Sequence, residues 1–454
     1  MDASSAQLPP VVLALLGVAL LLALLVVARW HAFLALLATS LAVALASGTP
    51  PQRIAAEIQQ HMGSTLGFIA VVVGLGAMFG ELLQRSGGAA AIAQRLLQAA
   101  GERRAPWALA LTGVIVATPV FFDVALIVLV PLVYSLARST GRSLLHYAVP
   151  LLAGLAVAHA FVPPTPGPVA VAGLLGADLG WVIALGVVAG LPATLVGGLW
   201  YGRLVARRIH LEAPPAARLD AGPALPSPGV RAAGFWTAVG LVALPLVLIL
   251  LGTVSAVALP EESRVRGVLA LAGHPFTALL VTAILAFYLL GTRLGFSAAE
   301  VREMATRSLE PVGAILLVTG AGGVFGKVLL ATGAGKEAAD WMAAAGLPFV
   351  LMAFLVAAAV RIAQGSATVS MVTAGGLMAP IVEAVDLSAP RTAALVIAIS
   401  SGATVLSHFN DSGFWLVSRY LGMNESQTLR VWTVVVTLVG VTGLAVVAAL
   451  WPWL

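Results

Sequence analysis

GLGAMFGELLQRSG at residues 74–87 reads again, 246 positions later, as GAGGVFGKVLLATG at 320–333. Gly74, Gly76, Phe79, Gly80, Leu83 and Gly87 match Gly320, Gly322, Phe325, Gly326, Leu329 and Gly333. Six matches in fourteen would be weak alone in a Gly- and Leu-rich region. The register persists, however: Pro131 pairs with Pro380, Gly154 with Gly402, His159 with His408 and Phe161 with Phe409, the offset staying between 246 and 249. The chain therefore reads as two related halves.

Composition says where those halves reside. Of 454 residues, 60% are hydrophobic and 9% charged, whereas soluble domains carry roughly a quarter charged residues. About 20 apolar residues in helical form cross a bilayer, and hydropathy places such spans at 11–29, 31–49, 63–84, 145–161, 180–202, 233–258, 274–291, 309–331, 391–407 and 429–451. Two further apolar stretches, 106–137 and 346–384, are long but broken in the middle. Two shorter ones follow the breaks Pro163–Pro168 and Asn410–Gly413. Val11–Ala28 has only Asp2 as a charge before it, so it lacks the basic start of a secretory signal and reads as a retained helix. There are no cysteines, which excludes disulfides and thiolate chemistry. The net charge of +5 comes from Arg-rich loops, which membrane orientation explains without a nucleic-acid partner.

Each half thus predicts three spans, a broken hairpin, a span interrupted by polar residues and a final span. If each hairpin enters and leaves on one side, a half crosses five times, and an odd number inverts the second half. The predicted fold is an all-α polytopic membrane protein of two inverted repeats, each with five transmembrane helices, one re-entrant hairpin and one broken helix. That is the plan of many secondary transporters. The repeats occupy 1–205 and 233–454, with 206–232 as a Pro-, Ala- and Arg-rich cytoplasmic linker. Placing the N-terminus outside puts 85–105, 138–146, 203–231, 292–308 and 419–430 in the cytoplasm; with Arg29 these hold 17 of the 24 Lys and Arg residues. Both termini are then periplasmic, by the positive-inside rule.

Non-helical backbone at membrane depth survives only where protein or water satisfies it, and polar residues there are functional candidates. Thr118–Asp123 breaks the first hairpin, with Pro119 stopping one helix and Asp123 opening the next. Asp123 reads as a proton carrier or substrate-orienting group, or else as a helix cap. Gln364, Gly365, Ser366 and Thr368 form the second hairpin tip, where hydroxyls beside a helix start suit a carboxylate or hydroxylated ligand. Arg361 is the one cation of that arm, able to hold a substrate carboxylate, to neutralise Asp123 or Asp411, or to snorkel. The breaks after His159 and at Ser407–Gly413 place His159, His408 and Asp411 at matching depths as proton-coupling candidates, or as hydrogen-bonded structural residues. Thr118, Thr165, Asn410 and Ser412 join the substrate-binding candidates. Glu81 and Lys327, equivalent in the repeat, read as structural charges.

The stretches TPVFFDVALIVLVPLVYSLAR (118–138), AQGSATVSMVTAGGLM (363–378) and SHFNDSGFWLVSRYLGMNESQTLRVWTV (407–434) resemble the gluconate:proton symporter (gluconate permease) family, and the similarity extends over essentially the whole chain. The resemblance implies uptake of a sugar acid, such as gluconate or a related aldonate or ketoaldonate, with protons across the bacterial inner membrane. It implies no cofactor or metal and, by analogy with a wider group of ion transporters, a homodimer working as an elevator. One branch of the family takes up D-serine instead. Sodium coupling is the rival within transport, because Gly365–Thr368 and Asn410–Ser412 could supply oxygen ligands. A channel lacks its continuous polar lining here. An intramembrane hydrolase would need Ser407 and His408, adjacent in the chain, to adopt triad geometry.

Overall fold

The computed structural model describes residues 9–213, 230–334 and 348–454, with Glu337 and Asp340 between the last two segments. Most of the expected linker, residues 214–229, lies outside the described residues. The described chain is helical, and eight of its helices are long and apolar enough to cross a membrane.

The first half runs α1 (Pro10–Leu22), α2 (Ala32–Ala46), α3 (Pro51–Arg85), α4 (Gly88–Ala117), α5 (Phe122–Thr140), α6 (Leu145–Phe161), α7 (Pro166–Leu175), α8 (Leu179–Ala193) and α9 (Tyr201–Arg208). The second runs α10 (Phe235–Ala258), α11 (Arg264–Gly273), α12 (Pro275–Ala286), α13 (Ala298–Ser308), α14 (Glu310–Ala331), α15 (Phe349–Gln364), α16 (Ala367–Glu383), α17 (Ala389–Gly402), α18 (Ser412–Leu421), α19 (Glu425–Thr428) and α20 (Val434–Leu450). A π-helical segment, Thr194–Trp200, joins α8 to α9.

Most spans match their hydropathy. Helix α3 is longer, starting at Pro51, because a proline at the first position and good helix formers carry the helix past its apolar part. Helix α11 was not expected; it follows the turn Leu259–Ser263 after α10, against which it packs. Helix α4 contains a sharp bend at Gly101 (φ 66°, ψ 174°). Its second segment pairs with α5 around a tip at Thr118–Phe121, and α15 pairs with α16 around Gly365–Ser366.

The two halves share a close backbone contact. A Cβ at Gly154 on α6 would stand 2.2 Å from the Ala110 carbonyl oxygen of α4, and one at Gly402 on α17 would stand 2.1 Å from that of Phe354 on α15. Gly154 and Gly402 are the pair matched in the sequence repeat, and each presses the first arm of its own half's helix pair. Small residues permit such approach where apolar lipid offers no hydrophobic driving force between helices. Overfilling a close contact costs about 1–3 kcal/mol. Gly154→Val and Gly402→Val should therefore lower the melting temperature and the monodisperse fraction of extracted protein. Gly240→Val, at a position with nothing within 4 Å, should change neither.

Candidate functional site

The two helix pairs and the two broken spans converge on a cavity of about 460 Å³, within the roughly 300–1,000 Å³ of ligand clefts. Three helices begin at its wall. Phe121 precedes α5, Ser366 caps α16 and Asp411 caps α18. Helix starts carry unpaired amide groups and the positive end of the helix dipole, so the cavity is built to favour an anion.

The second tip is held by two tight contacts. Gly365 has φ +89°, and a Cβ there would stand 2.2 Å from the Asn410 carbonyl oxygen. Only glycine meets both the left-handed conformation and the lack of space. Asn410 Nδ2 in turn donates to the Ile362 carbonyl at 2.9 Å. The tip and the α17–α18 break are thereby clamped together. Ser366 Oγ accepts from the Val369 amide at 3.4 Å, starting α16.

Arg361 crosses this junction. Its Nη2 donates to Asp411 Oδ2 at 2.5 Å, and the two residues are 3% and 8% exposed. Asp411 is engaged on both oxygens: Oδ1 accepts from the Gly413 amide at 3.0 Å, and Oδ2 also accepts from Ser407 Oγ. Ser407 Oγ accepts in turn from Trp432 Nε1 at 2.8 Å. Arg361 is not saturated, because its buried Nε and Nη1 have no hydrogen-bond partner among the described residues. Buried donors are nearly always paired. Nε and Nη1 lie on different edges of the guanidinium, so beside the cavity they offer two separate charged donors and not one fork.

From the first half come Asp123, in the first turn of α5, and His159, on α6. Asp123 has no hydrogen bond or ion pair among the described residues and is exposed to the cavity. His159 stands 6.4 Å from the Phe122 ring, and its Nδ1 has no partner among the described residues.

Seven of the residues singled out in the sequence thus line one cavity: Asp123, His159, Arg361, Ser366, Thr368, Asp411 and Ser412. The others do not. Thr118 donates back to the Val114 carbonyl at 2.8 Å and Thr165 to the Val162 carbonyl at 2.7 Å, and both border a separate small crevice. Gly365 and Asn410 form the clamp behind the tip, and neither they nor Gln364, whose buried Oε1 has no partner among the described residues, line the cavity. His408 lies off the cavity, with Nδ1 2.8 Å from the Leu406 carbonyl. Asp411, expected to couple protons, is engaged on both carboxylate oxygens. His31, Thr404 and Trp432 line the cavity unannounced by the sequence. Glu81 and Lys327 have the structural pairings expected, with Arg85 and Glu383 respectively, each at 2.9 Å. Among the described residues no cluster of three or more His, Asp or Glu side chains could hold a metal ion.

The GntP family permease profile matches residues 9–452. The low-affinity gluconate transporter of Escherichia coli K12 is 42% identical over 427 residues, 94% of this chain and 95% of its own length. The gluconate permease of Pseudomonas aeruginosa is 37% identical over 92% of each chain. The Gnt-II system L-idonate transporter of Escherichia coli K12 is 34% identical over 97% of this chain and 99% of its own. Among solved structures, the Alcanivorax borkumensis YdaH transporter, described as having an unusual topology, superposes with a TM-score of 0.64 at 15% identity, covering 97% of this chain and 98% of its own. That likeness bears on the fold alone. These proteins are permeases, not enzymes, and the chain belongs to the GntP permease family.

Proposed function

We propose that this chain imports a sugar acid, gluconate or a related aldonate or ketoaldonate, across the bacterial inner membrane together with protons. The observation that carries the reading is Arg361, buried at the cavity wall with two unused donors. The substrate carboxylate accepts from one of these unused donors, and its hydroxyls reach Ser366, Thr368 and Ser412. The names of the similar proteins, gluconate and L-idonate transporters, fit that chemistry.

Asp123 supplies the coupling. An anion entering beside an unpaired carboxylate meets like-charge repulsion, strong in a medium of low dielectric. A proton on Asp123 removes that repulsion, so anion and proton bind together more readily than either alone. His159, beside Asp123's neighbour Phe122, is the second candidate for proton passage. The rest of the reading is architectural: 1–205 and 233–454 are inverted repeats with two re-entrant helix pairs. They are joined by a cytoplasmic linker at 206–232, both termini are periplasmic, and two copies form a dimer.

Uptake into proteoliposomes tests the transport reading. Labelled gluconate should accumulate under an inwardly directed proton gradient without sodium. Failure of every sugar acid to accumulate would refute proton symport, and accumulation driven only by sodium would transfer the coupling to that ion. Asp123→Asn should abolish gradient-driven accumulation while folded protein remains in the membrane; accumulation at the wild-type level would remove Asp123 from the mechanism. Alkaline phosphatase fused after Leu454 should be active, since the enzyme matures only outside the cytoplasm, and an inactive fusion at normal expression would reverse the topology.

A further inference from the structure

A second cavity, of about 700 Å³, lies farther along the same pair of helices. Helices α14 and α16 wall both spaces. On α14, Pro311, Ile315 and Val318 face the first cavity while Gly323, Gly326 and Lys327 face the second. On α16, Thr368, Val369 and Val372 face the first while Ala379, Val382 and Glu383 face the second. The gap between Val318 and Gly323 is five residues, roughly 7.5 Å of helix. That between Val372 and Ala379 is seven, roughly 10 Å.

The closure between the cavities is therefore about two helical turns thick, and apart from Leu377 and Met378 its residues on these helices are small. A Cβ at Gly322 would stand 2.7 Å from Val372 Cγ1, one at Gly326 would stand 2.7 Å from the Gly376 carbonyl oxygen, and one at Gly376 would stand 2.6 Å from the Gly322 carbonyl oxygen. Backbone lies on backbone with few interlocking side chains. Such a surface seals well yet lets one helix part from or slide along the other without unpacking large groups. At the far end of the closure, Lys327 Nζ donates to both Glu383 carboxylate oxygens at 2.9 and 3.1 Å. It is the ion pair that ties α14 to α16, and its side chains are 42% and 49% exposed.

The two cavities open toward opposite ends of these helices. The first is bordered by His31, in the turn between α1 and α2, and by the start of α14. The second is bordered by Gly176 and by the turn from α16 to α17. Under the topology proposed above, on which this inference rests, the first end is cytoplasmic and the second periplasmic. We propose that the second cavity is the outer vestibule through which the anion reaches the site, and that Lys327 and Glu383 latch its closure. The structure is then the inward-facing state. Release of the latch lets α16 move against α14 and exposes the site to the periplasm.

The absence of native cysteines permits a direct test. Ile315→Cys places a single thiol in the first cavity, and its modification by a membrane-impermeant maleimide is timed in right-side-out and inside-out vesicles. The thiol should react quickly from the cytoplasmic face and slowly from the periplasmic face. Adding Glu383→Gln should raise the periplasmic rate about two- to fivefold, the shift that the modest strength of an exposed ion pair allows. The double exchange Lys327→Glu with Glu383→Lys should return it toward the starting value. The cytoplasmic rate serves as the measure of intact folding. An unchanged periplasmic rate in Glu383→Gln, or no recovery in the exchange, overturns the latch and leaves the transport reading untouched. Faster labelling from the periplasm before any latch change overturns the topology and this assignment with it.

Discussion

The ion pair between Arg361 and Asp411 joins the first arm of the second helix pair to the start of α18, and both residues are almost wholly buried. Taking two charges out of water is expensive, and removing one partner of such a pair costs about 3–5 kcal/mol. Asp411 also accepts from Ser407 and the Gly413 amide, and Ser407 is fixed by Trp432. These bonds, with the Gly365–Asn410 contact, set where the α16 and α18 starts face the cavity. A well-packed apolar pair would serve stability as well or better. What the ion pair adds is a guanidinium held in place by one nitrogen with two left unused.

The two halves have diverged around this anchor. The histidine matched in the repeat lies in the cavity on α6, as His159, but off it in the second half, as His408. Where the second half has Asp411, the same offset falls on Val162, which is apolar. The first half contributes Asp123 instead, an unpaired carboxylate opposite the paired arginine. One half thus presents the group that would take the anion and the other the group that would take the proton. A single cavity in which the two meet gives a physical reason for binding them together.

Much of this was legible in the sequence. Hydropathy and the repeat located the spans because burial in lipid leaves long apolar runs, and the tips were visible because Pro119, Gly365 and the proline run at 163–168 interrupt those runs. The limits have definite causes. Hydropathy is blind to helix outside the apolar layer, so the polar start of α3 and the short α11 escaped it. Polarity at a break marks a residue as unusual but not as facing inward. Asn410 clamps a tip, Thr118 and Thr165 satisfy their own helix ends, and His408 meets a neighbouring carbonyl. His31, Thr404 and Trp432 reach the cavity only through tertiary folding of distant helices, and their local sequence carries no signal of it.

The central claim is that an unused donor of Arg361 holds the substrate carboxylate. Calorimetric titration of the purified protein with gluconate, and with sorbitol as the counterpart lacking the carboxylate, tests it most directly when repeated on Arg361→Lys. That variant keeps a charge facing Asp411 but loses the fixed, planar donors of the guanidinium. The expected result is that gluconate binds, sorbitol does not, and Arg361→Lys weakens gluconate binding about tenfold or more without loss of folded protein. Equal binding of gluconate and sorbitol, or undiminished gluconate affinity in Arg361→Lys, would contradict it.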